Sequence, residues 1–152
     1  MSPALQRPHI LIVSNDRDLT DFLGEGLVYA GYWTSTIASA VQALEVFRLR
    51  TFDAVVLDAA LGGVGALELL RRLRGRSDRA TAGGRTDIPI LVIEGTSGEI
   101  EVSAALEAGA DRVLAAPIEL IDIAAALETA VTSWRMAHPK RRWADDLAQE
   151  RS

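Results

Sequence analysis

No cysteine occurs in the 152 residues, which excludes disulfides, thiol nucleophiles and thiolate metal sites. Lysine is nearly as scarce. All but one of the 16 basic residues are arginine, and the single lysine is Lys140. A phosphate-binding P-loop and a Schiff-base site are therefore excluded from residues 1–139. Apolar runs are short, and the one at residues 10–13 is far below the length that spans a bilayer. Residues 1–9 carry no apolar segment followed by a small-residue cleavage site, so no signal peptide is expected. An excess of basic charge is also missing: 16 basic against 21 acidic residues leave a net charge of -5, which disfavours a general nucleic-acid binder.

What remains is ordinary for one globular domain with a full core, with 49% hydrophobic and 24% charged residues. The stretch at residues 52–58 organises the rest. Ala54, Val55, Val56 and Leu57 form an apolar run that stops on a carboxylate, Asp58, before the small residues Ala59 and Ala60. A run apolar on both faces predicts a central strand of a parallel sheet. Open α/β sheets bind ligands at the carboxyl ends of their strands, so Asp58 is the first candidate for chemistry.

Strand and helix signals then alternate five times. Strands are predicted at residues 9–13, 32–38, 54–58, 88–93 and 113–115. The first helix follows the polar turn Ser14-Asn15-Asp16, carries Leu19, Phe22, Leu23, Leu27 and Ala30 inward, and ends at Gly31. Val41, Leu44, Phe47 and Leu49 mark the second, and Leu67, Leu69, Leu70 and Leu73 the third. A long arginine-rich loop follows at residues 75–87. Thr96 and Glu99 have capping-box spacing before a fourth helix with Val102, Ala105 and Leu106, closed by Gly109. Pro117 opens onto a final helix with Leu120, Ile123, Ala124, Leu127 and Val131, apolar nearly all round. The pattern changes after Trp134, giving a domain at residues 1–134 and a charged extension, a short helix or linker, at 135–152. The repeated strand–helix unit predicts a doubly wound parallel sheet with helices on both faces.

In this order the chain resembles the receiver domains of bacterial two-component response regulators over about residues 8–134. The resemblance is carried by Ile10-Leu11-Ile12-Val13, Asp53-Ala54-Val55-Val56-Leu57-Asp58, Leu67 to Leu73, Ile88 to Ile93, Leu106-Glu107-Ala108-Gly109-Ala110-Asp111 and Pro117. It implies a flavodoxin-like (βα)5 fold with strand order 2-1-3-4-5, a cytoplasmic, non-enzymatic signalling role, and phosphoryl transfer from a histidine kinase onto Asp58. The family's other parts are an acidic pair holding magnesium, a threonine or serine ending the fourth strand, and a lysine after the fifth.

Those parts are replaced. The acidic pair falls on Ser14 and Asn15, with Asp16 one place further on; the hydroxyl position is Glu94; the lysine position is Ala116. A carboxylate at position 94, if about 6 Å from Asp58 at an effective dielectric of ~20, repels it by about 3 kcal/mol. A phosphoryl group would add negative charge with no cation to neutralise it. The expectation is an atypical receiver with a degenerate pocket, acting through contacts with a protein partner, a histidine kinase or an effector, and needing no cofactor. The alternative is an orthodox receiver phosphorylated on Asp58, with Mg2+ held by Asn15, Asp16, Asp58 and the carbonyl of Ala60. A flavodoxin-like enzyme is more distant, because no second catalytic group can be named. Excess apolar surface on the fourth-helix, fifth-strand and fifth-helix face suggests a homodimer or a docked partner. Trp134 is a further candidate for a partner surface, and the arginines from Arg71 to Arg85 are expected to be a solvated helix end and loop.

Overall fold

The runs that are apolar on both faces take the middle of the sheet, and those broken by threonines or by Arg112 take its edges. The computed structural model describes residues 7–62, 65–77, 85–95 and 101–141. The elements are β1 (His9–Val13), α1 (Arg17–Tyr29), β2 (Trp33–Ile37), α2 (Ala40–Leu49), β3 (Ala54–Asp58), α3 (Ala66–Leu73), β4 (Ile90–Glu94), α4 (Val102–Ala108), β5 (Arg112–Ala115) and α5 (Leu120–Ala137). All pairings are parallel and the order is β2-β1-β3-β4-β5, as the resemblance implied. β3 lies at the centre, with every residue buried.

Alternation along the strands splits the core in two. Leu11, Val13, Val55, Leu57, Ile90 and Val92 pack with Ala43, Leu44, Leu69, Leu70, Leu73, Ala105 and Ala108. Ile10, Ile12, Ala54, Val56, Leu91 and Ile93 face Leu23, Leu27, Ile123, Leu127 and Val131 on the other side.

Phe22 of α1 lies 44% exposed against expectation, and two further helices turn differently from their predicted faces. α2 buries Ala40, Ala43 and Leu44, leaving Val41 and Leu49 66% and 62% exposed. α4 buries Ala105 and Ala108 and turns Val102 and Leu106 outward. In both, alanines let the helix approach the neighbouring layer, so the larger side chains sit off the contact stripe. β4 starts at Ile90, not 88, because Pro89 has no N–H for the ladder; its carbonyl still accepts from Val55 N at 2.9 Å. The Thr96 and Glu99 capping box and residues 142–152 lie outside the described residues. α5 continues through Trp134 to Ala137. Trp134 is half-buried: its Nε1 donates to Asp87 O at 3.0 Å and its ring stacks on His138 at 4.4 Å. Those contacts fix the orientation of the indole while leaving it half-buried.

One arginine ties three segments together. Arg74, just past α3, donates to Gly109 O, Thr86 O and Asp111 Oδ2, each at 2.9 Å. Asp111 Oδ2 also accepts from Ile90 N at 2.8 Å. Burial pushes the Arg74 pKa down from its ordinary value, with the charge of Asp111 opposing the shift. Gly109 ends α4 in the left-handed conformation, φ 118°, and a Cβ there would collide with Arg74 Cγ. Gly109→Ala therefore meets backbone strain and displaces the arginine. We expect a loss of at least about 2 kcal/mol in urea unfolding; a loss under about 0.5 kcal/mol would show that Arg74 is not the tie described.

Candidate functional site

The carboxyl ends of β1, β3 and β4 and the residue after β5 meet at one edge of the sheet, which brings Ser14, Asp58, Glu94 and Ala116 into one neighbourhood. Asp58 is 7% exposed. Its Oδ1 accepts from Ala60 N at 2.9 Å, a turn contact made possible by the small residues that follow the strand. Its Oδ2 accepts from Ser14 Oγ at 2.6 Å. Ser14 is itself buried, its backbone N donates to Ile37 O at 3.0 Å, and its Oγ accepts from Asp16 N at 3.0 Å. The hydroxyl thus links the turn after β1 to the end of β3.

Asn15 and Asp16 are exposed. Asp16 is the N-cap of α1, with Oδ1 accepting from Leu19 N at 3.3 Å, so its carboxylate is committed to the helix. Glu94 follows Ile93, the residue paired with Asp58. Strand alternation groups Glu94 with Ile90 and Val92 on one face and Asp58 with Ala54 and Val56 on the other. Glu94 is half-buried, and its carboxylate has no hydrogen-bond partner among the described residues. Its carbonyl accepts from Ala116 N at 2.8 Å, and the Ala116–Pro117 bond is cis. Among the described residues no cation pairs with Asp58 or Glu94. No cluster of three or more His, Asp or Glu suited to a metal occurs among them either.

Position in the sequence marked Ser14 only as a missing acid. Its role as hydrogen-bond donor to Asp58 depends on the β1–β3 register, which aligns Val13 with Leu57.

A five-stranded parallel sheet in this order, with a carboxylate closing its central strand, defines a CheY-like signalling fold. Residues 10–128 match the family model described as the response regulator receiver domain. Response regulator MprA of Mycobacterium tuberculosis is 34% identical over 116 residues, covering 76% of this chain and 47% of the relative. The chain spans about half the length of the curated relatives it matches. Full-length FixJ from B. japonicum superposes with TM-score 0.76 at 25% identity, covering 88% of this chain and 62% of that one. The receiver domain of the TMAO respiratory system response regulator TorR gives 0.67 at 28% identity, covering 84% and 98%. The chain belongs to the response regulator receiver domain family.

Removing the Ser14 hydroxyl takes a donor from one buried carboxylate oxygen and an acceptor from Asp16 N. Ser14→Ala should cost about 2 kcal/mol in chemical unfolding. Asp58→Asn should cost less, because its amide retains an acceptor for Ala60 N and a donor toward Ser14. The reverse ranking in matched unfolding curves would sink this account of the pair.

Proposed function

We propose that this chain serves two-component signalling as an atypical receiver, in which Asp58 occupies the phosphoacceptor position and transfer onto it is weak or absent. The observation that carries this reading is the pairing of both Asp58 oxygens with neutral donors, Ser14 Oγ and Ala60 N. An attacking carboxylate oxygen must release one of those donors. The phosphoryl group it takes up brings close to two negative charges. Efficient transfer needs a preorganised cation to meet that charge. Here the two positions that would hold the metal carry Ser14 and Asn15, the hydroxyl position carries Glu94, and the lysine position carries Ala116.

The magnesium question follows from the same donors. Magnesium takes oxygen ligands in near-octahedral geometry, commonly one or two carboxylates with waters and phosphate oxygens. At this edge the candidate donors are Asp58, already hydrogen-bonded, the neutral amide of Asn15 and the carbonyl of Ala60; Asp16 caps α1. We infer that this donor set does not fit the ion well, and that signalling here runs without it.

Output then passes through contacts with a partner, a histidine kinase or a downstream effector. The exposed apolar side chains Val102 and Leu106 on α4 and Ile121 on α5, the last 72% exposed, offer a surface for a second copy or for that partner. Isolated apolar side chains on a surface are common. What singles these out is their placement on two helices that flank the edge strand β5.

Phosphotransfer tests the reading directly. Incubated with acetyl phosphate and magnesium, the chain should show little stable mass increase by intact-protein mass spectrometry. The triple variant Ser14→Asp, Glu94→Thr, Ala116→Lys should gain one, and adding Asp58→Asn to it should abolish the gain. Stoichiometric labelling of the unaltered chain at Asp58 would establish the orthodox receiver instead.

A further inference from the structure

A cavity lies at the opposite edge of the sheet from Asp58. Its volume is about 660 Å³, and its walls come from the amino ends of β3 and β4, the carboxyl ends of α2 and α5, and the chain just after α5. That volume is within the range of small-molecule sites. Asp53 and Asp58 bracket β3, and at ~3.3 Å per residue the two edges are about 16 Å apart. A ligand in this cavity would therefore not touch the Asp58 pocket.

Charge in the cavity runs against the chain as a whole. Arg50, Arg85, Lys140 and Arg141 line it together with Asp53 and Asp87, two positive charges in excess within a protein of net charge -5. The carboxylates are already engaged. Asp53 is 4% exposed, accepts from His9 N at 2.7 Å and lies 3.6 Å from Arg135. Asp87 pairs with Arg141 at 3.0 Å. Arg50, Arg85 and Lys140, by contrast, have no ion-pair partner among the described residues. Three cations left over on one concavity match the charge of a phosphomonoester, near −2 at neutral pH, and arginine's planar fork suits phosphate oxygens.

The same cavity has an apolar side. Phe52 is buried in its wall, Phe47 packs edge-on against Phe52 at 5.4 Å, and the Trp134 indole is fixed by its bond to Asp87 O and its stack on His138. Phe47 and Trp134 are half-buried and line the cavity, so a bare anion would leave their apolar surface in water. We propose that the cavity binds a small phosphomonoester carrying a flat apolar body, with Arg50, Arg85 and Lys140 on the phosphate and the Phe47–Trp134 side on the body.

Titration of the isotopically labelled chain, followed by amide and indole chemical shifts, tests this. AMP or phenyl phosphate should shift the Trp134 indole and the amides of Thr86 and Ile88 in a saturable way, with Kd below about 1 mM; comparing the two distinguishes a nucleotide from a simple aryl phosphate. Inorganic phosphate and adenosine should each bind at least about tenfold more weakly than the better of the two. The exposed pair Arg50→Ala/Arg85→Ala should weaken binding at least about tenfold while leaving spectral dispersion and the Trp33 indole unchanged. Failure of both phosphomonoesters to saturate by about 10 mM overturns the proposal. So does equal affinity for inorganic phosphate, undiminished binding by the double variant, or shifts centred on Ser14 and Asp58. None of these results bears on whether Asp58 accepts a phosphoryl group.

Discussion

The 2.6 Å hydrogen bond from Ser14 Oγ to Asp58 Oδ2 is the constraint on which the carboxyl edge of the sheet depends. A carboxylate buried at the end of a central strand loses hydration, and that loss must be offset by donors or by a cation. In an acidic pocket a metal ion would supply the cation. Here a serine hydroxyl and the Ala60 amide supply neutral donors. That substitution changes the chemistry of the edge, because Asp58 is satisfied without any charged partner. The turn after β1 follows from it: Ser14 faces Asp58, Asp16 N donates to Ser14 Oγ, and the Asp16 carboxylate is left to cap α1.

The other edge of the sheet solves the matching problem with charge. Asp53, one residue before β3, is as deeply buried as Asp58, yet it sits near Arg135 and accepts from the His9 backbone. The two ends of one strand thus carry two buried carboxylates with opposite support. The arginines that could have formed a phosphoryl clamp are placed elsewhere: Arg74 locks α3, β4 and α4 together, Arg135 lies against Asp53, and Arg50 and Arg85 border the cavity.

Much of this was legible in residue order. The five strand-forming runs, the turn residues at Asp16 and Gly109 and the carboxylate ending residues 54–58 follow from local rules, since strand period, capping and left-handed glycine are properties of adjacent residues. The faces of α2 and α4 were not, because Ala43 and Ala105 compete with Val41 and Val102 only once the sheet decides which side is near. Trp134 looked like an exposed aromatic near a chain end; its partners, Asp87 and His138, come together only when α5 docks beside the entry to β4. Ser14 was legible as a lost charge. Its gain, a bond to a residue 44 positions away, needed the register of β1 on β3.

Glu94 shows why a pocket's composition alone does not give its electrostatics. Counted as residues, the edge holds two carboxylates that ought to repel, and an assumed separation of about 6 Å makes that repulsion about 3 kcal/mol. Strand alternation separates them by face: Asp58 lies with Val56 and Ile93, Glu94 with Val92. A half-exposed carboxylate on the far face keeps contact with water, and solvent screens its charge. What Glu94 removes is a hydroxyl at the end of β4, and with Ala116 in the lysine position the hydrogen-bond donors to Asp58 among the described residues are Ser14 Oγ and Ala60 N. Any rearrangement of this pocket must therefore begin by releasing Ser14 Oγ or Ala60 N from Asp58.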